Sequence, residues 1–248
     1  MNDTLVTTTE TDGIFRITLN RPEARNALSL PMIESLHEAI GLASNSKARV
    51  VVLEGAGKSF CAGMDLKGVV EDPAAMGEML RRLGAATRLL RRLPMPTIAR
   101  VQGAAIGGGC GLMVVTDLAV THPEAKLGYP EVNLGICPAV VAPWLIRKIG
   151  AGRARAMLLQ GGTLNGREGF ETGLATHLVE HEELDVTVDQ LAAHLCEGGA
   201  YALATTKQWL NELDGSLDDA VIDEAAELSA RVIAGEEAQS RIRRIFVK

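Results

Sequence analysis

Residues 104–112 read AAIGGGCGL, with glycine at 107, 108, 109 and 111. No other stretch restricts the fold as much. Glycine admits backbone angles closed to other residues and lets another group approach the main chain. The run ends an apolar, β-branched stretch, PTIARVQGAAIG (96–107), and leads into CGLMVV, which reads as the start of a helix. A strand therefore gives way to a helix at a bare backbone, and something has to come close to it.

The familiar glycine loops do not fit. A Walker A loop needs GxxxxGK[ST], but Gly57-Lys58-Ser59 has Val52 where the first glycine belongs. A dinucleotide fingerprint needs GxGxxG, and Leu112 stands where its last glycine would fall. No GxSxG elbow is present. His37, His122, His177, His181 and His194 form no HExxH and have no suitably spaced cysteine, so no metal site is expected.

Around the run, strand and helix patterns alternate. ITLNRP (17–22), ARVVVLEG (48–55), 96–107 and DLAVTH (117–122) read as strands. Met32 to Ala43 reads as a helix entered at Ser29 and Pro31. A stripe of Met76, Met79, Leu80, Leu83, Leu89, Leu90 and Leu93 marks a second helix over 74–93, its arginines forming a solvated face with salt bridges. Beyond residue 180 only helical patterns remain: 184–197, 202–213, 216–234 and 236–246. Residues 1–180 thus form an α/β core, and 181–248 a helical region that packs on the core or on another subunit.

Composition narrows the partners. A net charge of −6 and an aromatic content of 3% oppose nucleic-acid and anionic-membrane binding. No apolar run approaches the roughly 18 residues of a membrane span. The start, MNDTLVTTTETDG, is polar and acidic, unlike a targeting peptide. Cys61, Cys110, Cys137 and Cys196 are scattered, and read as reduced, core-packed thiols of a cytoplasmic protein.

Two further stretches invite chemistry. SFCAGMDL (59–66) puts the small pair Ala62-Gly63 before Met64, where ligand atoms could reach the backbone. LGYPEVNLGICP (127–138) sets Glu131 after Pro130 among apolar residues, a setting for a raised pKa and proton transfer.

Together, LNRPEARNAL (19–28), SFCAGMDLK (59–67), VQGAAIGGGCGL (101–112) and LGYPEVNLG (127–135) resemble the enoyl-CoA hydratase/isomerase (crotonase) superfamily, and TLNGREGFETGLATHLV (163–179) resembles its later segment. The resemblance implies a crotonase (ClpP-like) α/β spiral of ββα turns, with a C-terminal helical trimerisation region. It also implies a homotrimer or dimer of trimers and an acyl-CoA substrate, with no cofactor beyond the coenzyme A that is part of that substrate.

By motif, the resemblance assigns the backbone N–H groups of Met64 and Gly108 to an oxyanion hole and Glu131 to acid/base catalysis. It points to acyl-CoA binding by Arg25, Ala27, Ala62, Gly63, Asp65, Leu66, Lys67, Ile106, Gly107, Gly111, Pro130 and Trp144. Arg25 and Lys67 are either phosphate partners or plain surface charges, and Trp144 either acyl-pocket wall or core. Lys248 or its neighbours could reach the CoA of an adjacent subunit. Hydratases of the family carry a glutamate where this chain has Gly111, so Glu131 is left as the single strong acid/base. One carboxylate suits a 1,3 proton shift from 3-enoyl to 2-enoyl, which the residues favour. Hydration of a short, branched or cyclic enoyl-CoA, with Tyr129 lending a hydroxyl, and a non-catalytic acyl-CoA binder are the alternatives.

Overall fold

The computed structural model describes residues 4–246. The elements are β1 (Val6–Thr11), β2 (Ile14–Leu19), α1 (Leu30–Asn45), β3 (Val50–Gly55), α2 (Pro73–Arg91), β4 (Thr97–Val101), β5 (Ala105–Ile106), α3 (Gly108–Val115), β6 (Leu118–Thr121) and β7 (Lys126–Gly128). There follow α4 (Ala142–Ile149), α5 (Ala151–Gln160), β8 (Thr163–Asn165), α6 (Gly166–Thr172), β9 (His177–Leu178), α7 (Leu184–Glu197), α8 (Ala200–Leu213), α9 (Asp219–Ile233) and α10 (Glu236–Phe246). They build a six-stranded sheet, β1-β2-β3-β4-β6-β9, and a three-stranded sheet, β5-β7-β8.

In the large sheet, only the β1–β2 pair is antiparallel. Strand β3 shows why its sequence is a continuous apolar run: it is buried on both faces. Val51 and Leu53 join the main core with α1 and α2, while Val50 and Val52 meet Leu184, Val188 and Ala192 of α7 on the other face. The helical region is thus anchored to the core through α7. At the opposite side, α9 lies along α2, where a Cβ on Gly77 would sit 3.3 Å from that of Ala230.

Helix α2 starts at Asp72, whose side chain accepts from the N–H of Ala75 at 2.9 Å. Its buried face includes Met76, Met79, Leu80, Leu83 and Leu90. The arginines do form salt bridges, and most run to α9: Arg81 to Glu227, Arg88 to Asp223 and Arg92 to Asp219. Arg91 instead turns inward to Asp214.

Several elements depart from the sequence pattern, the short strands β7 and β8 among them. Strand β1 forms in the polar, acidic start of the chain: it is an edge strand, exposed from Thr8 onward, and its threonines suit a strand despite their polarity. Helices α4 and α5 fill 142–160, where neither was expected; Pro143 sits in the first turn of α4, a place that tolerates its missing N–H.

Candidate active site

Three segments converge at the N-terminus of α3. The first, 61–66, is sewn down on both sides. Cys61 bridges to Ala105, through Cys61 N–H to the Ala104 carbonyl (2.9 Å) and Ile106 N–H to the Cys61 carbonyl (3.0 Å). Met64 bridges to Leu28, which donates to the Gly63 carbonyl (2.7 Å) and accepts from Asp65 N–H (2.9 Å). In a parallel bridge of this kind the bonds use the residues flanking Met64, so the N–H of Met64 itself turns to the other side.

The second segment is the glycine run. Gly107 adopts φ 53 and ψ −120, and its N–H donates to the Gly128 carbonyl at 2.8 Å. Any Cβ there would lie 2.9 Å from Oε1 of Glu131. Position 107 must therefore be bare, both for its backbone angle and for the carboxylate beside it. Gly108 opens α3, so its N–H is among the donors a helix leaves unfilled. Among the described residues neither this N–H nor that of Met64 has an acceptor. A Cβ on Gly63 would stand 3.9 Å from the Gly108 nitrogen, which fixes how near the two segments lie.

The third segment carries Glu131. Strands β5 and β7 pair in parallel, Ile106 opposite Gly128, and the chain after β7 brings Pro130 and Glu131 beside Gly107. Glu131 begins a 3-10 turn, Glu131–Leu134, closed by Gly135 at φ 71. Its Oε2 is buried with no hydrogen-bond partner. Burial pushes its carboxyl up to about 7, only partly opposed by a bond from its own backbone.

These segments enclose one apolar cavity, lined by Ala62, Gly63, Met64, Leu66, Ile106, Gly107, Gly108, Pro130 and Glu131. Leu80 and Leu83 of α2, Leu134, Ile136, Cys137, Pro138, Val140, Val141 and Ile233 of α9 complete the wall. Glu131 is its single carboxylate among the described residues. Arg25, Ala27, Asp65 and Lys67 lie on the adjoining backbone strip, where Ala62 N–H donates to the Arg25 carbonyl (3.0 Å). Arg25 and Lys67 are exposed, whereas Asp65 is bridged to Arg21 at 2.6 Å.

Two residues fall elsewhere. Gly111 is buried in α3 behind the wall, and a Cβ on it would meet Val141 Cγ1 at 2.6 Å. Trp144 is corrected from wall to core: it is buried, and its Nε1 donates to Thr87 Oγ1 at 3.0 Å. The Tyr129 hydroxyl is likewise sealed off, fully buried against the Cys110 thiol. Lys248 lies outside the described residues.

Sequence reading missed the residues that hold the loops. Asn26, in the left-handed region at φ 55, is fully buried and donates to the carbonyls of Ala56 (2.9 Å), Ser59 (2.8 Å) and Phe60 (3.2 Å). Gln102 donates to the carbonyls of Gly55, Gly57 and Ser59. An Asn directly after the stretch RPEAR was the available signal for the first; nothing local marks the second.

An α/β scaffold that sets one buried carboxylate and unfilled backbone donors around an apolar cavity is equipped for acid–base chemistry. The model of the family described as enoyl-CoA hydratase/isomerase matches residues 9–243, and the chain belongs to that family. It is similar to 1,2-epoxyphenylacetyl-CoA isomerase of Escherichia coli, 33% identical over 237 residues, covering 92% of this chain and 89% of that protein. It is also similar to the short-chain-enoyl-CoA hydratase of Clostridium acetobutylicum, 34% identical over 199 residues, covering 79% and 76%. Its fold matches the crystal structure of an enoyl-CoA hydratase from Mycobacterium avium with a TM-score of 0.86 at 31% identity, covering 98% and 96%.

Proposed function

We propose that this enzyme shifts the double bond of a 3-enoyl-CoA to the 2-position, with Glu131 as its sole acid/base. The observation that carries this reading is the single carboxylate in the cavity, with Val141 standing where a second would have to grow from Gly111. The thioester oxygen would take the N–H groups of Met64 and Gly108. Glu131 would remove a proton from C2, and the electron pair would spread to that oxygen as a dienolate. The same carboxyl would then return the proton at C4, leaving the double bond between C2 and C3. Each preorganised donor of this sort contributes about 3 to 4 kcal/mol to the transition state in other oxyanion holes. A carboxyl held near 7 suits both halves of the transfer, as acceptor and as donor.

The strip at 25–28 and the loop at 62–67 would receive the CoA, with Arg25 and Lys67 at its phosphates. No cofactor beyond that CoA is called for. The exposed apolar side chains Tyr201, Trp209 and Leu213 of α8 fit burial in a homotrimer or dimer of trimers of a cytoplasmic enzyme, readable by sedimentation.

Hydration is the second reading, favoured by the likeness to the short-chain-enoyl-CoA hydratase. The test is incubation with 2-enoyl- and 3-enoyl-CoA thioesters in water labelled with heavy oxygen. Isomerisation moves the double bond and leaves the product unlabelled. Label entering the product at the rate of turnover overturns it.

A further inference from the structure

A second cavity lies at the far end of α3, lined by Arg91, Val114, Val115, Thr116, Asp117, Trp144, Arg147, Lys148 and Leu210. Its volume of about 260 Å³ is well above the roughly 15 Å³ that one water needs. Four cations gather here against Asp117 and Asp214, with Asp218 as a third, more distant carboxylate facing Arg147. Lys207 Nζ sits 2.8 Å from Asp117 Oδ2, and Arg91 Nη2 sits 2.7 Å from Asp214 Oδ2. Arg91 also approaches Asp117 Oδ1 at 3.6 Å, so the carboxylate in the wall is already neutralised.

The other two cations have no such partner. Lys148 Nζ reaches only the carbonyls of Thr116 (3.2 Å) and Asp117 (3.4 Å). Arg147 donates through Nε and Nη2 to the carbonyls of Asp214 (2.9 Å) and Gly215 (2.7 Å) and stacks 5.0 Å from the Trp144 ring. Its Nη1 is buried with no acceptor. Among the described residues, neither cation has a carboxylate within ion-pair distance. Both residues are half-buried, and a charge partly withdrawn from water is costly unless a counter-charge is supplied. Burial pulls the Lys148 ammonium down to about 8; Asp117 offsets this in part, and the Arg91 charge adds to it.

We infer that this cavity binds a small oxyanion of the phosphate class, held by the Lys148 ammonium and the Arg147 guanidinium in its wall. A guanidinium edge and an ammonium together match the spread oxygens of a tetrahedral anion, which a halide cannot engage at once. The site stands apart from the substrate cavity, so it does not depend on which reaction the enzyme performs.

Inorganic sulfate is the probe, added to the full chain and to a Trp209→Phe variant whose single remaining indole is Trp144. Calorimetry is expected to give saturable binding of one sulfate per chain. The emission of Trp144 changes over the same concentrations, and chloride at equal ionic strength produces neither response. Lys148→Met keeps the length of the side chain while removing the half-buried charge, and weakens sulfate binding roughly ten-fold or more. Lys148→Gln gives the same loss, should the methionine variant fold poorly. Saturating CoA leaves the sulfate affinity unaltered, which separates this site from phosphate contacts in the substrate cavity. Absence of saturation, an equal response to chloride, unchanged affinity in both Lys148 variants, or displacement by CoA would each overturn the assignment.

Discussion

Val141 fills the space into which a side chain at Gly111 would grow, its Cγ1 2.6 Å from the Cβ that residue lacks. The two positions are coupled. Gly111→Glu alone is expected to cost about 1–3 kcal/mol by overpacking. Val141→Ala in the same chain opens the space, so the double variant is more stable than the sum of the two single changes. A denaturant double-mutant cycle reads this, and strict additivity would show that the contact is not what keeps the position bare.

Glu131→Gln keeps the shape of the side chain and removes its basicity. Turnover on 3-enoyl-CoA falls by about 10²–10⁴-fold, while CoA binding is kept. Steady-state rates beside calorimetric binding decide it. Undiminished turnover on every enoyl-CoA tried would end the role given to Glu131.

The pH profile follows from the burial of that carboxyl. Proton removal needs the charged form, so kcat/KM rises with pH and levels off above about 7. A profile already flat from pH 5 would mean that burial does not hold the group there.

Stability moves the opposite way. Between the ordinary value of 4.5 and about 7, the folded protein holds a proton on Glu131 that the unfolded chain has released. Stability from this group therefore falls as pH rises through that window, by about 3 kcal/mol in all. The Glu131→Gln variant lacks the fall. Urea unfolding of both proteins from pH 5 to 8 measures the difference, and parallel curves would refute it.

Gly107→Ala strains a backbone at φ 53 and drives a methyl to within 2.9 Å of Glu131 Oε1. It is expected to cost about 1–3 kcal/mol and to reduce kcat by displacing the carboxylate. Gly152→Ala, in α5 with nothing within 4 Å, is the control and is neutral or stabilising by up to about 1 kcal/mol. Equal effects at the two positions would show that the carboxylate does not decide the matter.

Long periodic segments were readable because their pattern is local. The stripe of α2 and the apolar run of β3 each declare a buried face within one element. What that face meets is not local. Leu80 and Leu83 belong to the same stripe as Met76, yet they line the cavity, and Ile233 joins them from α9. Trp144 shows the reverse: beside two wall valines, it is turned by the helix toward Thr87 and the core. The glycines at 107 and 108 and Glu131 stood out because each motif is short and contiguous. The pairing of β5 with β7 that brings them together spans some twenty residues and leaves no mark on either stretch.

Asn26 and Gln102 grip one stretch of main chain between 55 and 60 from two sides, and Leu28 fastens it again at Met64. These clamps use buried amides, whose bonds form when the chain folds and persist in an empty site. The course of the chain entering the loop is therefore set by folding and not by a ligand, and the loss of freedom that tight capture demands falls mainly on what binds.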